Sequence, residues 1–164
     1  MALPNKVLPG FTAALYAQPG ATPTPLTTAQ LSLVASVSPI AVSGNIIPVE
    51  AIPAFGMDDA VASFGVAGSR QSDKIPVQAA PTSMTITAAW NPADTNLLLM
   101  RADAYSGVVD RTFVVSATEG SNIVYYAFNG RVGQFQIDSQ PGAEAKCTFT
   151  IHPRGNQYGW SNNA

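Results

Sequence analysis

The 164-residue chain predicts a mainly β fold: an antiparallel β-sandwich or barrel with one short flanking helix and extended terminal arms. Three observations carry this. Residues 82–90 (TSMTITAAW) alternate with a period of two, placing Met84, Ile86, Ala88 and Trp90 on one face. Residues 112–118, 123–128 and 131–138 follow as β-rich runs separated by turn residues. One stretch, 92–105, has helical spacing together with start and stop signals.

The first part of the chain is short of charge. From Val7 to Val49, 43 residues pass without an Asp, Glu, Lys or Arg, and six of them are prolines. The prolines rule out a long helix. The missing charge is unlike a water-facing surface. Residues 1–56 therefore read as extended strands and arms, held in contacts within or between subunits. The whole chain, 1–164, reads as one domain with a proline-rich arm over 1–45, a β core over 46–153 and a polar, aromatic arm over 154–164. Within it, 57–81 reads as a strand plus a polar loop.

The helix is expected to begin with Asn91 as cap and Pro92 in its first position, with Asp94 near its positive end. Leu97, Met100 and Ala104 recur at helical spacing, Leu98, Ala102 and Tyr105 widen the apolar stripe, and Gly107 is a natural stop. The strand over 112–118 turns at Glu119-Gly120-Ser121. Asn129-Gly130 then predicts a second hairpin, with Phe128 opposite Arg131 and Val124 opposite Phe135. A three-residue loop at Gln140-Pro141-Gly142 would set Ile137 against Ala145, Phe135 against Cys147 and Gly133 against Phe149. Asp138 would then oppose Glu144. The polar face of this sheet is Gln134, Gln136, Asp138, Glu144, Lys146, Thr148 and Thr150.

Little in the sequence suggests catalysis. His152 is the sole histidine and Cys147 the sole cysteine, so neither an intrachain disulfide nor an ordinary structural zinc site is available. Cys147 lies on an apolar strand face, as an inert thiol would. There is no nucleophile elbow, and Gly65-Val66-Ala67-Gly68 lacks the Lys-Ser/Thr of a phosphate loop. Asp58 and Asp59 point to opposite faces of a strand, and Asp103 and Asp110 read as solvated charges near the helix end. No catalytic, cofactor-binding or metal-binding residue is expected. Charged residues are 11% of the chain and the net charge is −2, without the basic cluster that grips phosphates. No signal peptide or membrane span is expected from the sequence.

The stretch 82–152 resembles the major tail tube proteins of long-tailed, siphovirus-type bacteriophages. The matching features are the TSMTITAAW strand, WNPAD opening a short helix, RTFVVSATEGSNIVYYAFNGRVGQFQID, and the closing strand CTFTI. The resemblance extends over about residues 46–152. It implies a subunit of stacked, usually hexameric rings that form a hollow tube in the virion, assembled in the cytoplasm of a bacterial host. Implied partners are other copies of the chain, a tape-measure protein in the lumen, and tail terminator and tail-tip proteins. Double-stranded DNA would pass through without specific binding.

The resemblance also implies positions. The polar loop containing Gly68, Ser69, Arg70, Gln71, Ser72, Asp73 and Lys74 lies where the family carries a loop between stacked rings. For the lumen that the resemblance implies, the polar face offers Gln134, Gln136, Asp138, Glu144 and Lys146 as a lumen-facing set; the aromatic tail separately offers Tyr158 and Trp160 as a docking arm. Two other functions fit the composition. One is a different virion or surface structural protein, such as a decoration or fimbrial subunit. The other is a carbohydrate-binding β-sandwich using Trp160, Tyr158 or Tyr105.

Overall fold

A computed structural model describes residues 12–65, 67–68, 72–155 and 159–163. The chain is mainly β, as the alternating segments predict. Its principal sheet contains β1 (Thr12–Ala17), β2 (Ile46–Ile47), β5 (Met84–Ala89), β6 (Arg111–Glu119), β7 (Asn122–Asp138), β8 (Lys146–Pro153) and β9 (Gly159–Asn163). The order is β2-β1-β6-β7-β8-β5, with β9 on β7, and the strand pairings within it are antiparallel. An antiparallel bridge from Val49 to Ala88 joins the two ends, so the sheet curls back on itself. The Glu50 N–H reinforces the seam by donating to the Thr87 carbonyl at 3.0 Å.

The inside of the curl is the main core. Leu15, Ile47, Met84, Ile86, Phe113, Val115, Phe128, Phe149 and Ile151 are buried there. The helix α3 (Thr95–Ser106) lays Leu97 and Met100 into the same cluster. Its start differs from the sequence expectation. Asp94, not Asn91, is the cap, because its carboxylate accepts from the N–H groups of Asn96 (2.9 Å) and Leu97 (3.3 Å). Asn91 instead accepts from Ala93 N–H, making the turn ahead of the helix. Gly107 ends the helix at φ 68°, as expected. Leu98, Ala102 and Tyr105 do not widen the buried stripe; all three are exposed.

The charge-free stretch is partly explained within the subunit. β1 is an interior strand between β2 and β6. Two short helices, α1 (Thr28–Leu31) and α2 (Val34–Val37), cover the back of the sheet, where Leu31, Val37 and Ile40 bury Val114, Tyr125 and Ala127. Thr27 and Gln30 form a capping box that starts α1. The proline-bearing connection from β1 to α1 is pinned by the sheet. Asn129 Nδ2 donates to the Leu26 carbonyl at 2.7 Å, and the Leu26 N–H donates to Thr112 Oγ1 at 3.0 Å.

That role of Asn129 overturns the hairpin expected at Asn129-Gly130. β7 runs straight through both residues for 17 positions. Gly130 is there for close approach rather than for turning: a Cβ on it would meet Ile151 Cγ2 at 2.8 Å. The following register also differs. Ile137 pairs with Cys147, and Asp138 with Lys146 rather than Glu144. The connection is longer than three residues, with β7 ending at Asp138 and β8 starting at Lys146. A bulge at Gln134-Phe135 takes up a further step. The like-charge pair is thereby replaced by an opposite-charge pair.

Residues 57–81 are a hairpin rather than a strand and a loop. β3 (Met57–Gly65) and β4 (Ser72–Pro81) pair only with each other among the described residues. Ser72, Asp73 and Lys74, expected in a loop, are the first residues of β4. At a rise of roughly 3.3 Å per residue, each arm is about 30 Å long.

Asp103 also departs from expectation. It is buried and forms a two-pronged pair with Arg111, with Nε to Oδ2 at 2.7 Å and Nη2 to Oδ1 at 3.0 Å. Arg111 Nη1 donates to the carbonyls of Gln18 and Gly20. One guanidinium thus ties α3, β6 and the end of β1 together.

Candidate functional site

Past Gly130, β7 outruns β6 and continues beside β8, with β5 on the far side of β8. The inward side of this three-strand unit belongs to the core. Its outward side presents four rows of side chains. Arg131 pairs with His152, and Ser83 Oγ meets His152 Nδ1 at 3.0 Å. Gln134, Thr150 and Thr85 come next, with 3.2 Å from Thr150 Oγ1 to Gln134 Oε1 and 3.4 Å between the two threonine hydroxyls. Gln136, Thr148 and Thr87 make the third row. Asp138 and Lys146 make the fourth.

The bulge makes this face possible. Val132 points inward, so strict alternation would send Gln134 into the core and Phe135 out. Gln134 instead takes φ 55°, the left-handed region that a side chain enters at a cost of roughly 1 kcal/mol. The phase then flips. Phe135 stacks on Phe149 at 5.8 Å and meets Trp90 edge-on at 5.8 Å, while Gln134 and Gln136 stay exposed. An open hollow of about 390 Å³ results, lined by Thr85, Gln134, Phe135, Gln136, Thr148 and Thr150. Its walls carry hydroxyl and amide groups but no formal charge.

Charge collects at the two ends of the face. Arg131 Nε donates to Asp110 Oδ1 at 2.8 Å, its Nη1 reaches the Gly107 carbonyl at 3.2 Å, and Arg154 lies 3.9 Å from Asp110. At the other end, Lys146 Nζ is 2.6 Å from Glu50 Oε1, and that partner's hydrogen bond and charge hold the ammonium pKa above its usual value. Asp138, Gln140, Ala143, Glu144 and Lys146 line a second hollow of about 420 Å³ there.

The curled sheet with its flanking helix has clear relatives among solved structures. It superimposes on a chain of a sheath/tube terminator from an extracellular contractile injection system, PVC, with a TM-score of 0.64, 11% identity, and coverage of 96% of this chain and 98% of that one. A chain of the anti-feeding prophage tube-terminating cap gives 0.61, at 11% identity and 98% coverage of both. The SPP1 tail tube gives 0.53, at 10% identity, with 91% and 76% covered. This is the tail-tube fold. The likeness to tail tube proteins carried by residues 46–152 is thus met by a shared architecture over nearly the whole chain. No protein-family model matches the chain, and no curated protein matches it in sequence.

Within the tail-tube fold, the residues singled out in the sequence separate into four places. Gln134, Gln136, Asp138 and Lys146 do share one face, with Glu144 on the connection beside it. Gly68, at φ 90°, and Ser72, Asp73 and Lys74 flank the far end of the β3–β4 hairpin; Ser69, Arg70 and Gln71 lie outside the described residues. Trp160 belongs to β9 and pairs with Tyr126, while Tyr158 lies outside the described residues. Tyr105 is 75% exposed at the end of α3, with the Arg101 guanidinium 5.5 Å from its ring centre.

Several contributors were missed. Thr85 and Thr87 were legible as the outward residues of β5, but only the strand order shows that they extend the face of β8. Glu50 and Arg131 needed the register. Cys147 is fully buried, and burial pushes its thiol pKa up. Among the described residues, no group of three or more His, Cys, Asp or Glu is placed to hold a metal, and no helix is long and apolar enough to cross a membrane.

Proposed function

We propose that this chain is a structural subunit of a phage-type tail tube. It assembles into stacked rings, hexameric as in the family it resembles, enclosing a channel through which double-stranded DNA is ejected. The whole-chain match to tube and terminator structures is the observation that carries this. The β3–β4 hairpin agrees with it. An isolated two-stranded hairpin is marginal in water, and among the described residues this one finds no third strand in its own subunit. In the assembly it lies against a neighbouring copy, with residues 68–74 at the contact between rings. Stacked heterologous contacts then yield an open filament.

The outward face of β5, β8 and the second half of β7 is proposed as the channel wall. Its middle rows offer hydroxyls and amides without a cation, so a polyanion passing along them meets nothing that retains it. Gln134, Gln136, Asp138, Glu144 and Lys146 belong to that wall. Trp160 and Tyr158 contribute to contacts at the C-terminal end. The tape-measure protein, terminator and tail-tip proteins are the remaining proposed partners. The role is structural rather than enzymatic, in the virion, with assembly in the host cytoplasm.

Electron microscopy of the concentrated, purified protein tests the proposal. Tubes of uniform bore are expected; a protein that stays monomeric at all concentrations would overturn it. Rings that form but never stack would favour a second role, the terminating ring, which the likeness to the terminator and cap structures supports. Deleting residues 68–76 should leave rings intact and prevent stacking. Tubes of normal length from that variant would remove the hairpin from the inter-ring contact.

A further inference from the structure

The proposed channel wall has a direction. Its first row is cationic: Arg131 sits opposite His152, Arg154 follows two residues on, and Asp110 is the carboxylate between the two guanidinium groups. Its last row is anionic: Glu50, Asp138 and Glu144 surround Lys146 as the single cation. His152 and Lys146 lie six positions apart on β8, a distance of about 20 Å along the strand. The rows between them carry only Thr and Gln. Two guanidinium groups against one carboxylate, and three carboxylates against one ammonium, leave opposite net charge at the two ends.

We infer that these two ends are the contact surfaces for a second copy of the chain, joined head to tail. The inference rests on the tube proposal and adds which surfaces meet. The Arg131–His152–Arg154 end of one subunit faces the Asp138–Glu144–Glu50 end of the subunit in the next ring. Opposite charge fixes the polarity of stacking, because a flipped ring would set like charges together. The two ends differ, so the contact repeats without closing and the stack can grow. The base of the β3–β4 hairpin, where Met57 pairs with Pro81, stands beside the cationic end through Ser83 and His152, and the contact proposed for the hairpin lies at its far end. Arg131 itself stays anchored to Asp110 and the Gly107 carbonyl, which ties this end to the segment that follows α3.

Charge reversal at each end tests this. His152→Glu with Arg154→Glu reverses the cationic end and leaves the Arg131 anchor in place. Asp138→Lys with Glu144→Lys reverses the anionic end. Each double variant alone is expected to form tubes about tenfold or more less readily than the parent, while keeping the parent's circular dichroism. An equal mixture of the two is expected to restore tubes, with the variants alternating ring by ring. Tubes of normal yield from either variant alone would overturn the inference. So would two folded variants whose mixture gives no tubes. Tubes from the parent separate these results from failure of the tube proposal; a parent protein that never forms a tube overturns both.

Discussion

The two halves of β7 share one strand and live in different surroundings. Residues 122–130 are paired with β6 along one edge, and 123–127 with β9 along the other. They also pack on both faces: Phe128 looks into the main core, and Tyr125 and Ala127 look towards α1 and α2. Residues 131–138 are paired with β8 and buried on one face only, leaving Gln134, Gln136 and Asp138 exposed. The boundary is Gly130, which pairs with Arg111 on one edge and Pro153 on the other. The first half builds the subunit. The second half builds a surface. Substitutions in the two should therefore separate cleanly, with stability lost on one side and assembly lost on the other.

The largest effect is expected where the first half is tied down. Arg111→Met leaves the Asp103 carboxylate buried without its partner, which should cost about 3–5 kcal/mol in urea unfolding. A loss under about 1 kcal/mol would mean that the pair is not buried in solution. Gly130→Ala brings a methyl against Ile151 and should cost about 1–3 kcal/mol by the same measurement. A neutral result would mean that Ile151 does not crowd the Gly130 backbone.

Cys147 gives a smaller, pH-dependent effect. Burial raises its thiol pKa above the ordinary 9.0, so the folded state holds the proton more tightly than the unfolded chain. Its contribution is complete below the unfolded thiol value and fades as pH rises through the folded one. Native protein at neutral pH should react slowly with a thiol reagent, and urea should expose the thiol. Rapid reaction of native protein would contradict the burial. The smallest effect belongs to the outward rows. Gln136→Ser and Thr148→Ser should each change stability by no more than about 0.5 kcal/mol.

Much of this division was legible in the sequence, and the misses have physical causes. The alternation of Met84, Ile86 and Ala88 located β5 because one face is fully buried and the other is not. Gly107 ended α3 where the sequence placed its stop, but the start was expected at Asn91-Pro92 and lies at Asp94, whose carboxylate takes the cap. Asn129-Gly130 has the local chemistry of a turn, yet tertiary packing claims both residues: Asn129 for Leu26 and Thr112, Gly130 for Ile151. The polar face survived the register error because the two-residue displacement at Ile137 and Asp138 preserves parity. The bulge at Gln134 had no clear mark, since glutamine is an uncommon residue at positive φ. Asp103 and Arg111 are eight residues apart, and nothing in their neighbourhood announces a buried pair. The charge-free opening stretch was read as chain covered by something. The structure identifies one cover as the subunit's own sheet, through β1, α1 and α2.

The exposed half of β7, with β8 and β5, is proposed to line a hollow bore. A cryo-EM reconstruction of assembled tubes tests it most directly. The account predicts Gln134, Gln136, Thr148 and Thr85 at the wall of the channel, repeated in every ring. A tube whose bore is lined by another face, with these residues on the exterior, would contradict it.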